Sequence, residues 1–89
     1  MLVGRRYVVR GRVQGVFFRD SVRRRAVALG VTGFVRNRSD GAVEAVFEGA
    51  PGTVEQMLDL VRRGPGRAEV EEVEVFEEQA ADFPDFRIK

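Results

Sequence analysis

Hydrophobic positions recur with two different periods along the chain, and these periods predict strands alternating with helices. In the segment 42–48 every odd position is apolar and the even positions are mixed, which is typical of a strand with one apolar face. An earlier region has the helical spacing of four, four and three residues, at Phe18, Val22, Ala26 and Leu29. We therefore predict a helix there, ended by Gly30 because helices commonly stop at a glycine.

A second apolar stripe at helical spacing predicts another helix. Its members are Val54, Met57, Leu58 and Val61. Thr53 and Gln56 fit a capping box, which predicts that the Thr53 hydroxyl and the Gln56 amide pair with free N–H groups where this helix begins. The helix is predicted to end at Gly64-Pro65-Gly66.

Runs rich in β-branched and aromatic residues predict the remaining strands. These runs are residues 6–13, 31–38 and 68–76, with a short one at 86–88. The dipeptide Asp40-Gly41 is a hairpin signal between two strands. Val70 and Val73 differ in parity, which predicts a bulge or a change of face near Glu71-Glu72. The acidic stretch 77–82 is predicted to be a loop.

The order strand–helix–strand–strand–helix–strand, with residues 1–89 interpreted as one domain, restricts the fold. Crossovers between paired strands are right-handed, so few compact arrangements remain. The predicted class is α+β: a ferredoxin-like βαββαβ sandwich in which a four-stranded antiparallel sheet has two helices on one face.

The composition excludes several kinds of catalysis. The chain has neither cysteine nor histidine, so disulfides, thiolate nucleophiles, serine–histidine hydrolysis and imidazole-bound metals are all excluded. Any catalysis would use arginine, carboxylates, amides, hydroxyls or backbone N–H groups. No apolar run approaches the ~20 residues of a membrane helix, and nothing near the N-terminus resembles a signal peptide. We therefore expect a cytoplasmic protein.

Charge is distributed unevenly although the net charge is only +1. Residues 1–38 contain ten arginines and one acid, Asp20, a balance of +9, whereas residues 39–89 contain five bases and thirteen acids, a balance of −8. A basic half attracts phosphate in some form. Alternatively, the two halves lie side by side and partly neutralise each other.

The loop between the first strand and the first helix is a candidate anion site. A loop that enters a helix presents unpaired backbone N–H groups and the positive end of the helix dipole. Gly15 lets the backbone fold closely around a phosphate, and Arg19 adds a guanidinium fork for two phosphate oxygens. The simpler interpretation is a strand–helix turn that has a surface arginine.

Asn37 and Asp20 are further candidates near this loop. The Asn37 amide, at the end of the second predicted strand, is able to hold a water molecule by donating and accepting, although asparagine is also common in turns. Asp20 is the one acid beside the loop. It is either a base or, as we prefer, an acid placed in the first helical turn because the helix dipole favours it there.

The segment 11–19, with the sequence GRVQGVFFR, resembles the first signature of the acylphosphatase family. The segment 33–37, GFVRN, is similar to the second signature and places Asn37 eighteen residues after Arg19. Shorter matches at 40–44 (DGAVE) extend the resemblance, as do those at Glu48-Gly49 and Gly64-Pro65. The resemblance covers essentially the whole chain.

The resemblance implies metal-free hydrolysis of acyl phosphates to a carboxylate and inorganic phosphate, without a cofactor. It also implies that Arg19 and Asn37 are catalytic, Arg19 binding the phosphoryl group and Asn37 positioning the attacking water. The phosphate-binding residues implied are Gln14, Gly15, Val16, Phe17, Phe18 and Arg19. Two positions depart from the pattern, since Phe34 and Val22 stand where many relatives have tryptophan and threonine. We expect the change at Phe34 to affect packing more than chemistry, whereas the change at Val22 removes any helper role of the threonine hydroxyl.

These observations lead us to expect a monomer that binds a small acyl phosphate and inorganic phosphate, and neither nucleic acid nor a membrane. Two alternatives use the same fold. An RNA-binding module would stack bases on sheet aromatics such as Tyr7, but the segment 42–48 is acidic and lacks the expected basic and aromatic pattern. The other alternative is a phosphate- or carbamoyl-phosphate-handling regulatory domain, like those that begin hydrogenase-maturation carbamoyltransferases.

Overall fold

The computed structural model describes residues 1–89, which form five strands and two helices. The strands are β1 (Val3–Arg12), β2 (Thr32–Asn37), β3 (Val43–Gly49), β4 (Glu69–Glu78) and β5 (Phe86–Ile88). The helices are α1 (Phe18–Leu29) and α2 (Pro51–Arg63). Neither helix has the length and apolar character needed to cross a membrane.

The strands form one sheet in the order β4-β1-β3-β2-β5. The first four strands of that order pair antiparallel, which confirms the predicted ferredoxin-like α+β fold. The sheet nevertheless has one strand more than the four predicted, because β5 adds to the edge of β2 in parallel. The N–H of Lys89 donates to the carbonyl oxygen of Val35 at 2.9 Å, which fixes this edge strand in place.

The core lies between the sheet and the two helices. Odd-numbered residues of β1, β2 and β3 face the helices, where they form one cluster with the apolar stripes of α1 and α2. Its large members include Tyr7, Phe18, Phe47, Met57 and Phe86. The Tyr7 and Phe47 rings meet edge to face at a centroid separation of 5.2 Å. These contacts hold both helices firmly on one side of the sheet.

The opposite face of the sheet is also covered, so every residue of β3 is buried. The Glu48 carboxylate, only 2% exposed, accepts hydrogen bonds from the N–H groups of Ala81 and Phe83. This attaches the segment 79–85 to the sheet, where the Phe83 ring packs edge-on against Phe34. The predicted acidic loop is therefore shorter than expected, since β4 continues to Glu78 before the segment begins.

The basic and acidic halves of the chain lie next to each other. Strand β1 sits between two strands of the acidic half, β3 and β4. Arg6 pairs with Glu44 at 3.5 Å and with Glu78 at 3.0 Å, and Arg10 pairs with Glu74 at 3.3 Å. This arrangement agrees with the interpretation that the two halves neutralise each other across the sheet.

The two helices begin in different ways. Helix α1 covers the predicted residues and ends at Gly30, which is in the left-handed conformation with φ 71°. The capping box predicted for α2 is wrong, because this helix begins earlier, with Pro51 in its first turn and Ala50 as N-cap. Proline suits that position since its missing N–H would be unpaired there in any case. The Thr53 hydroxyl instead donates to the Ala50 carbonyl oxygen at 2.9 Å.

A bulge interrupts the pairing of β1 with β4 two residues before β1 ends and the chain turns towards α1. Arg10 pairs with Glu72 but Gly11 pairs with Val70, so Glu71 is the extra residue of β4 and the predicted bulge is confirmed. Gly11 has φ 130°, and a Cβ there would collide with the Glu69 carbonyl oxygen. Glycine is therefore required at this point, just before the loop identified as a candidate anion site.

Candidate active site

The loop that joins β1 to α1 presents a series of unpaired backbone donors. No backbone N–H from residue 14 to residue 20 donates to a backbone carbonyl, and the first helical bond is from Ser21 to Phe17 at 3.1 Å. Gly15 and Phe17 have positive φ values of 73° and 60°, so the backbone curls sharply as it enters the helix. We call residues 14–19 the cradle, because their free N–H groups and the helix dipole favour an anion.

Arg19 lies in the first turn of α1 and lines the cavity beside the cradle. The acid next to it, Asp20, is engaged elsewhere, because its carboxylate pairs with Arg24 at 2.7 Å. Arg19 itself has no carboxylate partner. Its guanidinium is therefore available to an incoming anion. Asp20 lies in the first turn of α1, which is the role that we prefer for it on the basis of the sequence.

The cavity has a volume of about 260 Å³ and lies directly beside the cradle. Its lining residues are Val13, Gly15, Phe17, Phe18, Arg19, Asp20 and Ile88. Four of these are hydrophobic and Arg19 provides the positive charge. Of the residues predicted to bind phosphate, the cavity thus brings together Gly15, Phe17, Phe18 and Arg19, whereas Gln14 and Val16 are not among its lining.

Asn37 ends β2 on the helix-covered face of the sheet. It pairs in register with Val43, which pairs on its other side with Val9, so the three residues form one row across the sheet. The Asn37 Oδ1 atom is buried and has no hydrogen-bond partner. Buried polar atoms are nearly always paired, so an orphaned acceptor at a strand end indicates a place for a water molecule or a substrate donor.

The topology places Asn37 and the cradle at the same end of the sheet. Strands β1 and β2 both run antiparallel to β3 and therefore point the same way, and α1 starts where β1 ends. The Gln14 amide connects the two regions, because its Nε2 donates to the carbonyl oxygens of Arg38 and Ala42 at 2.8 and 2.9 Å. Asn37 itself does not line the cavity that contains Arg19.

The turn that follows Asn37 is held by Asp40. Its Oδ1 accepts the N–H of Ala42 at 3.1 Å, and its Oδ2 lies 3.2 Å from both Arg10 and Arg38. The Ala42 hydrogen bond is the main reason that the pKa of this carboxyl lies below its usual value, and the two arginines lower it further. The charged turn thus fixes the backbone on which Asn37 is placed.

Two features of the site were not predicted from the sequence. The Gln14 side chain bonds to Arg38 and Ala42, which lie 24 and 28 positions further along the chain, so no local sequence pattern indicates these contacts. Ile88 lines the cavity only because β5 pairs with β2, bringing Ile88 beside Val35. The short strand at 86–88 was predicted, but its parallel partner was not.

The sandwich and the cradle define an α+β domain that has a candidate anion-binding site at one end. The acylphosphatase family model matches residues 5–88. A curated acylphosphatase from Rubrobacter xylanophilus is 59% identical over 76 residues, covering 85% of this chain and 69% of the relative. The solved structure of an acylphosphatase from Coxiella burnetii has a TM-score of 0.94 at 39% identity, and the match covers 99% of this chain and 93% of that one.

The chain belongs to the acylphosphatase family. Its activity is therefore that of an acid-anhydride hydrolase, acting on acyl phosphates. The same sandwich matches one part of a much longer protein, full-length HypF in its phosphate- and nucleotide-bound form, with a TM-score of 0.93 at 27% identity. That match covers all of this chain but only 12% of HypF.

Proposed function

We propose that Arg19 and the N–H groups of residues 14–19 bind the phosphoryl group of an acyl phosphate, and that Asn37 holds the attacking water. The observation that supports this most directly is the uninterrupted series of unpaired N–H groups that leads to Arg19. Binding a neutral phosphate group or a carbonyl would not require both the series of N–H donors and the Arg19 guanidinium. A phosphoryl group with several charged oxygens matches them.

In this mechanism water attacks phosphorus in line with the acyl oxygen. The phosphorus–oxygen bond to the acyl group breaks, its electron pair leaves on the carboxylate, and a water proton passes to a phosphate oxygen of the substrate. A carboxylate is a good leaving group, so no strong general acid is required. This accounts for hydrolysis by a chain that has no histidine.

The cradle and Arg19 supply most of the rate enhancement in this proposal. The phosphoryl transition state spreads negative charge over three oxygens. Donors that are already fixed around those oxygens stabilise the charge without reorganising, and one such donor is typically worth about 10²–10³ in rate. The Arg19 guanidinium contributes a planar fork that reaches two oxygens at once.

Asn37 contributes through its buried Oδ1. A buried acceptor that lacks a partner costs about 1–3 kcal/mol, and a water molecule that donates to it removes this cost. The same amide has two N–H donors with which to orient the water oxygen. We propose that this water is the nucleophile, since Asn37 lies at the end of the sheet where α1 begins.

Two observations bear on the alternatives. For RNA binding, Tyr7 would have to be accessible, but its ring is buried in the core and β3 is covered on both faces. The aromatic ring that the sheet leaves exposed, Phe76 of β4, lies under the Arg6 guanidinium at 4.4 Å, so the sheet offers no row of accessible aromatic rings on which bases stack. For a regulatory domain, the unpaired Arg19 and the cradle would bind an acyl phosphate without hydrolysing it, so turnover distinguishes the two functions.

The test is release of phosphate from acetyl phosphate in the presence of a chelator. We expect turnover to persist, because the proposed mechanism uses no metal. Arg19→Lys keeps the charge but loses the fork and should lower kcat/KM by about 10²-fold, and Arg19→Ala should lower it further. Arg25→Lys, an exposed arginine on the same helix, is the matched control. Near-normal turnover by Arg19→Lys, or abolition by the chelator, would contradict the proposal.

We also propose that the chain works in the cytoplasm as a monomer that binds a small acyl phosphate and releases inorganic phosphate. The absence of cysteine fits a reducing compartment. Light scattering of the purified chain tests the oligomeric state, and a mass of twice 10.0 kDa would overturn the monomer. Fractionation of the producing cell tests the location.

A further inference from the structure

Phe17 occupies an unusual place in the cradle. Its side chain is 82% exposed, although a large apolar residue is normally buried. Its backbone is in the left-handed region, at φ 60° and ψ 21°, which a bulky aromatic residue rarely adopts. Strained conformations of this kind concentrate at functional sites, where the surrounding structure maintains them. An exposed aromatic ring held in a strained loop beside Arg19 therefore indicates a contact with substrate.

Ile88, the last residue of β5, lines the same cavity. It lies two residues beyond the buried Phe86, and so on the helix-covered face of the sheet. Because β5 runs parallel to β2, Ile88 is at the end of the sheet where α1 begins. Ile88 is 40% exposed, and Val13 and Phe18 complete the apolar part of the lining. The cavity lining thus combines one cationic group, Arg19, with apolar side chains that include Phe17 and Ile88.

We infer that Phe17 and Ile88 form a subsite for the acyl group, and that this site favours acyl phosphates whose acyl group is apolar and flat, such as an aromatic one. The inference rests on the proposed function, since the phosphoryl group must occupy the cradle for the acyl group to reach these side chains. A charged phosphoryl group is not stabilised by apolar side chains. Phe17 and Ile88 therefore contact the acyl group, which is the only other part of the substrate.

An aromatic acyl group gains more from this surface than an acetyl group does. Transfer of apolar area out of water is favourable in proportion to that area, and aromatic rings additionally pack edge to face or offset against one another. A cavity of about 260 Å³ lies just below the range of sites for drug-sized ligands, which suits a phosphate joined to a single ring. The subsite therefore determines selectivity among acyl groups.

The experiment compares kcat/KM for benzoyl phosphate and for acetyl phosphate. Phe17→Asn removes the ring while keeping the backbone N–H, and asparagine tolerates the left-handed conformation. Val27→Asn is the control, because Val27 is an exposed apolar residue of α1 that does not line the cavity. We expect the ratio of the benzoyl value to the acetyl value to be at least about tenfold in the natural chain and to fall about tenfold in Phe17→Asn. Val27→Asn should retain the natural ratio.

Ile88→Ala tests the subsite from a residue outside the cradle, and it should lower the same ratio by several-fold. A loss of all turnover in Phe17→Asn would leave the ratio measurable in Ile88→Ala. An unchanged ratio in both variants, with normal hydrolysis of acetyl phosphate by the natural chain, would overturn the acyl subsite alone. If the natural chain hydrolyses neither compound, the proposed function fails as well.

Discussion

The side-chain amide of Gln14 donates a 2.8 Å hydrogen bond to the carbonyl oxygen of Arg38, the residue that directly follows Asn37. A second bond from the same Nε2 to Ala42 spans the turn between β2 and β3. Gln14 therefore holds the start of the cradle at a fixed distance from the strand end on which Asn37 lies. In the proposed mechanism the backbone N–H of Gln14 contributes to phosphate binding, whereas its side chain joins the start of the cradle to the turn after Asn37.

Gln14→Ala should weaken both the site and the fold. Loss of two hydrogen bonds, each worth about 1 kcal/mol, should lower the free energy of unfolding by about 1–2 kcal/mol. The shift of Asn37 relative to the cradle should lower kcat by about tenfold or more, because small misplacements of catalytic groups are costly. Urea unfolding and phosphate release measure the two effects. Gln56→Ala, on the exposed surface of α2, is the control, and full activity of Gln14→Ala would rule out the positioning role.

Asn37→Ala should separate catalysis from stability. Without the amide the attacking water is no longer held, so kcat should fall by about 10²-fold, while competitive inhibition by inorganic phosphate changes much less. The free energy of unfolding should stay the same or rise, because the buried Oδ1 has no partner to lose. Ser39→Ala in the adjacent turn is the control. Equal losses of turnover and phosphate affinity would indicate that Asn37 has a structural role.

Glu48→Ala should destabilise the protein with little effect on turnover. The carboxylate accepts two backbone N–H groups of the segment 79–85, and hydrogen bonds to charged groups contribute about 1.5–3 kcal/mol each. We expect the free energy of unfolding to fall by about 2 kcal/mol or more in urea. Glu48 lies on the face of the sheet opposite the cradle, so kcat should be close to normal. Glu77→Ala, an exposed acid of β4, should leave both quantities unchanged.

Tyr7 should resist ionisation until the protein unfolds in alkali. Burial, and to a smaller extent the nearby Glu55 carboxylate, raise the pKa of Tyr7 to about 12. Because the folded pKa lies above the unfolded value of about 10, the neutral phenol stabilises the fold fully below pH 10. That stabilisation is lost as the pH rises through the folded pKa.

Tyr7 is the only tyrosine and the chain has no tryptophan, so the ultraviolet absorbance of phenolate reports this one group. Absorbance should rise near pH 12, together with the loss of secondary structure seen by circular dichroism. The same titration in concentrated urea should have its midpoint about two units lower. A midpoint near pH 10 in the folded protein would show that the ring is accessible to solvent.

Much of the fold followed from local pattern. Helix α1 was predicted in full because its apolar spacing and Gly30 agree, and the bulge at Glu71 followed from the parity of two valines. The start of α2 was missed because Pro51, a favourable residue in the first turn, outweighed the side-chain cap at Thr53. The pairing of β5 with β2 was not predicted, because a strand of three residues contains too little sequence pattern to specify its partner.

The candidate site was less predictable than the fold. Arg19 and the free N–H groups of the cradle follow from a loop that enters a helix, which sequence pattern does indicate. The burial of the Asn37 Oδ1, the tie from Gln14 and the apolar wall at Ile88 depend on pairing between segments that are distant in the chain. Such contacts arise from tertiary structure, and no local propensity encodes them.

The central position of β1 has a consequence for how the chain folds. Its partners on either side, β3 and β4, begin at Val43 and Glu69, so β1 remains half-paired until the end of the chain joins it. Contacts that are distant in sequence slow folding, because the entropy of closing long loops is lost before the contacts form. During that interval the exposed edge of β1 is open to strands of other molecules. Strand β1 has four arginines, at positions 5, 6, 10 and 12. Their charge repels a second copy of β1 until the glutamates of β4 pair with them.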